Sequence, residues 1–161
     1  MKRLIMIVML LTLLVTTHSW GTAPAPPDLT KVTLISANGE RLAADQIGRQ
    51  KAVLLVLIKK GQPGGLKMLE FLASLKPQLP ADRLLIVVAG ADEMVFKSIS
   101  GKYPGLVASW YRDPEGTLAK SLNLAVTPVV LGMRDGKVAW NLFGVSDAEL
   151  LEKTMRGWLN R

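Results

Sequence analysis

The chain has 161 residues, 49% of them hydrophobic, with no cysteine, one histidine and a formal net charge of +7. That length and apolar content suit one globular domain with a sizeable core and are too small for two ordinary ones. The missing cysteines exclude disulfide staples, thiolate nucleophiles, iron–sulfur ligation and cysteine-based zinc sites, so stability has to come from packing.

The N-terminus reads as an export leader over residues 1–21. Lys2 and Arg3 precede the apolar run Leu4–Val15, and the small and polar stretch Thr16–Thr22 follows. The run is short for a membrane span, although an uncleaved N-terminal anchor is a competing reading that would keep the domain close to a membrane. Ser19 and Gly21 satisfy the small-x-small rule for cleavage after Gly21. The one histidine, His18, falls inside the leader, so the domain beyond it lacks imidazole bases and imidazole metal ligands. Removing Lys2 and Arg3 would leave 18 basic against 13 acidic residues, a net of +5. Those charges are scattered and not interleaved with aromatics, which argues against nucleic acid as a partner. A solvated exported surface, or loose attraction to anionic membranes, explains them.

Residues 22–28 (TAPAPPD) form a Pro/Ala-rich extended spacer, and a single domain occupies residues 29–161. Val32–Ile35 and Arg41-Leu42 form a β-hairpin around Asn38-Gly39, a type I′ turn signal, with a short helical turn at Ala44–Ile47. Ala52–Ile58 is an unbroken Val/Leu/Ile-rich run, the pattern of a central strand buried on both faces. From Gly65 to Lys76, Met68, Phe71, Leu72 and Leu75 recur at helical spacing until Pro77 and Pro80 stop the helix. Leu84–Ala89 is a second buried strand. Asp92 caps a helix running to about Ser100, Val107–Tyr111 is a shorter strand and Pro114–Leu122 a helix. Val129–Leu131 and Val138–Leu142 make a hairpin turned by Asp135-Gly136. Ser146 and Glu149 make a capping box for a last helix that buries Leu151, Met155, Trp158 and Leu159. Helices alternating with buried strands predict an α/β domain, a mixed sheet covered on both faces.

These segments resemble the TlpA-like branch of the redoxin and thioredoxin superfamily, exported thiol–disulfide oxidoreductases that often serve cytochrome maturation. The resemblance runs from about Leu29 to Leu159. It is carried by the opening hairpin VTLISANGERLAADQI, the strand AVLLVLI and the block DPEGTLAKSLNLAVTPVVLGMRDGKV. It implies a thioredoxin-like mixed β-sheet flanked by helices with an N-terminal β-hairpin. It also implies that Thr127-Pro128 is the family's cis-proline site. The family's Trp-Cys-x-x-Cys motif falls here on Lys60-Gly61-Gln62-Pro63-Gly64. With Pro63 aligned to the Cys-Gly-Pro-Cys form, Gly61 and Gly64 replace the two thiols, and the family's buried acid falls at Leu55. The chemistry of a thiolate attacking a disulfide is therefore lost.

The same residues admit other readings. Gly61–Lys67 follows a strand and opens a helix, but Leu66 stands where a phosphate-binding loop needs its second glycine. The stretch is either a flexible turn or a weak anion site served by Lys59, Lys60 and Lys67. Met68, Met94, Met133 and Met155 have no His or Cys with them and read as core fillers, so no metal is expected. Trp110, Trp140 and Trp158 read as core or sheet residues. The acids at 92–93, 113 and 115 read as helix caps. No cofactor and no catalytic residue is expected. The candidate binding residues are Gly61, Gln62, Pro63, Gly64, Gly65, Thr127 and Pro128. In the family the residue before the cis-proline offers its main chain to an extended segment, so the resemblance implies an extended protein segment or an exported protein as partner. Two further readings stay open: an accessory to a redoxin system using a partner's thiols, and a scaffold subunit with no groove function.

Overall fold

The computed structural model describes residues 27–160; the leader, His18 and residues 22–26 of the spacer lie outside them. Seven strands form one mixed sheet: β1 (Thr33–Ser36), β2 (Arg41–Ala43), β3 (Val53–Lys59), β4 (Leu84–Ala89), β5 (Ser109–Asp113), β6 (Val129–Arg134) and β7 (Lys137–Phe143). Four helices accompany them: α1 (Pro63–Ser74), α2 (Glu93–Gly101), α3 (Thr117–Ser121) and α4 (Ala148–Leu159). The strand order is β2-β1-β5-β4-β3-β6-β7. β3, β4 and β5 run parallel, while β6 joins β3 and β7 joins β6 antiparallel. The expected mixed sheet, with its antiparallel part in the last hairpin, is the one found.

β3 organises the core because its apolar run has no polar side to turn outward. Leu54, Val56 and Ile58 face one cluster with Met68, Leu69 and Leu72 of α1, Phe96 of α2 and Leu151, Met155 and Trp158 of α4. Val53, Leu55 and Leu57 face a second cluster with Leu34, Ile47, Leu118 of α3 and Leu131. Each such side chain contributes roughly 1.5–3 kcal/mol by leaving water. The indole N–H of Trp158 donates to the Val53 carbonyl at 3.1 Å, so α4 is tied to the central strand by polarity as well as by packing.

Several boundaries differ from the sequence expectations, each for a local reason. At the first hairpin Gly39 has φ +86, whereas Asn38 is not in the left-handed region that a type I′ turn demands of it. The Gly39 N–H instead donates to the Ser36 carbonyl at 3.0 Å and the Ser36 N–H to the Glu40 carbonyl at 2.8 Å, a wider loop closed by a left-handed glycine. The second hairpin does use the tight turn, with Asp135 at φ +53 and Gly136 at φ +70. α1 begins at Pro63, two residues before the periodicity, because proline at the first helical position loses no hydrogen bond. β5 is displaced toward Asp113 by its parallel register on β4, Leu85 opposite Ser109 through Ala89 opposite Asp113. α4 is capped by Asp147 rather than Ser146; its carboxylate accepts the Leu150 N–H at 2.9 Å.

α3 is shorter than expected because its cap reaches from outside the helix. The buried Asp113 carboxylate accepts the N–H and hydroxyl of Thr117, both at 3.0 Å, and the Leu118 N–H at 2.8 Å, across a loop turned by Gly116 at φ +65. Substituting Asp113→Ala should therefore cost about 2–3 kcal/mol, since buried donors would lose a charged acceptor. Urea unfolding should show the midpoint falling in proportion, with Asp113→Asn intermediate; an unchanged midpoint would contradict the capping role.

Candidate functional site

At the C-terminal end of β3 the chain turns through Lys60 and Gly61 into α1. The Lys60 N–H donates to the Ala89 carbonyl at 3.1 Å, and the Gln62 N–H to the Lys59 carbonyl at 3.3 Å. Gly61 has φ +74, a conformation that favours glycine, and it makes the reversal possible. Gln62 is the N-cap of α1, Pro63 the first helical residue, and Gly64 and Gly65 complete the first turn.

Two consecutive glycines weaken a helix by about 1 kcal/mol each relative to alanine, so their presence needs a steric cause. It lies in what they touch. A Cβ on Gly64 would sit 3.0 Å from Cδ of Pro128, and one on Gly65 would sit 3.2 Å from Cβ of Ile58. The helix start is thus pressed against both β3 and the turn before β6.

That turn contains Thr127-Pro128, whose peptide bond is cis. The Thr127 hydroxyl donates to Oε1 of Gln62 across 65 residues of sequence. Pro128 is buried and its carbonyl accepts the Gly144 N–H at 2.9 Å, which brings the end of β7 to the same place. The loop Gly61–Gly65 and Thr127-Pro128 therefore form one surface. Among the described residues, no hydrogen bond engages the main-chain N–H or C=O of Thr127.

Beside Thr127 a cleft of about 370 Å³ opens toward α3. Lys59, Gln62, Glu115 and Lys120 bring polar groups to it, and Ala119 and Leu124 line it with apolar surface. Val126 and Leu66 are exposed apolar residues at the site, and Phe143, which pairs with Val129 in the ladder, is a third. Among them, local sequence pattern points to Lys59 and Gln62 at the loop and to Glu115 only as a helix cap, while Ala119, Lys120 and Leu124 carry no such signal. Lys59, Lys60, Lys67 and Lys120 form no ion pair among the described residues. The carboxylates held below their usual range by hydrogen bonds, Asp28 by Thr30, Asp82 by Lys51 and Glu93 by Lys97, lie outside the cleft lining. Leu55, where the resemblance would put an acid, is fully buried among apolar side chains. Among the described residues no three His, Cys, Asp or Glu side chains gather into a metal-binding group.

No protein-family model matches the chain, and no curated protein matches its sequence. Solved structures do match in fold. A secreted Mycobacterium tuberculosis disulfide oxidoreductase homologous to E. coli DsbE superposes with a TM-score of 0.60 at 17% identity, over 81% of this chain and 96% of that one. The exposed lipoprotein thioredoxin Etrx1 of Streptococcus pneumoniae gives 0.59 at 18% identity, over 78% and 97%. A putative protein disulfide isomerase from Bacteroides thetaiotaomicron gives 0.64 at 17% identity, over 80% and 86%. The fold is thioredoxin-like, and this chain carries it without a single cysteine.

The geometry also says where thiols would have to stand. Side chains at the N-cap and the third helical position face each other across a helix start, which here are Gln62 and Gly65. Of the pair suggested by aligning Pro63, Gly61 has positive φ, while Gly64 at 3.0 Å from Pro128 is only slightly more crowded than Gly65 at 3.2 Å from Ile58, so the positive φ at Gly61 is the main difference between the two pairs. A Gln62→Cys/Gly65→Cys protein should close an intramolecular disulfide under mild oxidant, and Gly61→Cys/Gly64→Cys should close it markedly more slowly. Free-thiol titration and intact mass decide between them; faster closure of the second pair would reverse the assignment.

Proposed function

We propose that this is an extracytoplasmic, noncatalytic docking factor that holds an extended segment of another protein in the groove between Gly61–Gly65 and Thr127. The observation that carries the reading is the unengaged main chain of Thr127 beside an open, thiol-free helix start. An extended segment aligned there would gain main-chain hydrogen bonds, each contributing about 1 kcal/mol net, in the manner of strand addition. The cleft toward α3 would receive one of its side chains, and the exposed Val126, Leu66 and Phe143 would cover its apolar parts. Binding of this kind is modest and reversible, because no covalent mixed disulfide can form. The leader pattern of residues 1–21 supports export. So does the fold shared with a secreted oxidoreductase and an exposed lipoprotein.

The protein should show no turnover in insulin-disulfide reduction, since there is no thiolate to begin the exchange. Panning a random peptide library on the purified protein should select peptides that bind it measurably by calorimetry. Gln62→Trp places an indole over the groove at an exposed position, whereas Gly64→Trp would collide with Pro128 and confuse blockage with unfolding. Gln62→Trp should weaken the selected peptides at least about tenfold, or about 1.4 kcal/mol, with an unchanged melting temperature. Peptides that bind wild type and Gln62→Trp equally would place docking elsewhere and sink the groove reading.

A further inference from the structure

β3 leads into two lysines whose surroundings hold little negative charge. Val53, Leu55 and Leu57 all face the cluster that contains Leu118 of α3, and the alternation of the strand carries Lys59 to that same side. The three apolar side chains are buried, whereas Lys59 is exposed and stands level with Thr127 in the register of β3 on β6. It lines the cleft of about 370 Å³ to which α3 contributes Lys120. Lys60 comes close as well, because a Cβ on the lining residue Gly90 would lie 3.8 Å from both Cγ and Cε of Lys60.

The cleft is rich in donors and poor in acceptors. None of these three lysines forms an ion pair among the described residues. The Lys120 ammonium alone has a hydrogen bond there, donating to the Glu115 carbonyl at 3.0 Å. Gln62 accepts the Thr127 hydroxyl through Oε1, which leaves its Nε2 donors without a partner among the described residues. Against these groups stands one lining carboxylate, that of Glu115. Asp113 is buried outside the lining, and its oxygens already accept from Thr117 and Leu118. Leu55, on the same side of β3 as Lys59, adds no charge beneath it.

We infer that the cleft selects an acidic side chain: the segment that docks at Thr127, on the groove reading above, presents an Asp or Glu to Lys59 and Lys120. Consecutive side chains of an extended segment point to opposite sides, so main-chain pairing at Thr127 delivers one of them to the cleft. A carboxylate there accepts charge-assisted hydrogen bonds and offsets the mutual repulsion of the lysines. An apolar side chain would cover the same donors without pairing them, and a basic one would add a further positive charge. The cleft thus discriminates by what it rejects as well as by what it holds. Because the lysines are exposed, the preference is a matter of several-fold in affinity and is screened by salt.

The test uses a random synthetic library of N-acetylated, C-terminally amidated peptides, whose only carboxylates are side chains. Peptides that bind wild type and are blocked by Gln62→Trp should share an Asp or Glu at one position. Replacing that acid by its amide should weaken binding to wild type about fivefold by calorimetry at low salt, and by less at about 0.5 M salt. On Lys59→Gln/Lys120→Gln, at two exposed positions and with melting unchanged, the same replacement should cost less than about twofold. On Lys120→Glu, a peptide with lysine at that position should regain affinity relative to the acidic one. Peptides blocked by Gln62→Trp that show no acidic preference overturn this inference and leave the groove reading standing. So does an amide penalty that is the same on wild type and on the lysine variant. Peptides indifferent to Gln62→Trp sink the groove reading and this inference with it.

Discussion

β3 is the constraint on which the rest of the structure depends. Its side chains from Val53 to Ile58 are all buried, so both faces of the strand must be covered, and no two-layer arrangement can do this. The helices α1, α2 and α4 close one face; α3 and the N-terminal segment close the other. Parallel pairing with β4 and antiparallel pairing with β6 then satisfy both of its hydrogen-bonding edges. The antiparallel register Leu57 opposite Val129, continued two residues, sets Thr127 level with Lys59 at the end of the strand. The groove is therefore a consequence of core register. Its two walls are more than 60 residues apart in sequence and adjacent because the same strand positions both.

Steric exclusion completes what register begins. Gly64 and Gly65 let the start of α1 lie against Pro128 and Ile58 at distances a Cβ would crowd, and Pro63 offsets part of the lost helix propensity by preorganising the first turn. With thiols absent, what remains at this place is hydrogen-bonding geometry and apolar area. A few main-chain hydrogen bonds scarcely exceed the cost of fixing an extended segment, which is several kcal/mol. In the proposed docking, selectivity and most of the affinity would then come from side chains: the cleft toward α3 and the exposed Leu66, Val126 and Phe143.

Much of this fold is legible in the sequence, because apolar patterning is a direct image of burial. The Leu84–Ala89 strand and the buried face of α4, Leu151, Met155, Trp158 and Leu159, follow from pattern alone. Helix starts are harder, since neighbouring residues compete for the same orphan N–H groups. Ser146 with Glu149 fits a capping box, yet Asp147 offers a charged acceptor one residue later and wins. Asp113 caps α3 from the end of a strand, which no local spacing reveals. The candidate groove was legible as two separate segments, the glycine-rich loop and Thr127-Pro128. The side of the cleft formed by Gly90, Glu115 and Lys120, and the approach of Gly144, depend on tertiary contacts with no local signature.

The hairpin β6–β7 links the groove to the open edge of the sheet. At its closed end the Asp135-Gly136 turn is pinned against the loop after β2, the Asp135 N–H donating to the Gly48 carbonyl at 2.8 Å. Midway, Gly132 leaves room for the Trp140 ring to lie across the sheet, where it meets Trp158 edge-on at 6.0 Å between ring centres. At its open end Val129 pairs with Phe143 and the Pro128 carbonyl holds the Gly144 N–H, so the last residues of β7 and the turn carrying Thr127 are ordered by the same bonds. Whatever orders β7 from outside therefore also restricts the motion of Thr127. A segment docking at Thr127 would in turn steady the last residues of β7, because the same Pro128 and Val129 contacts hold both.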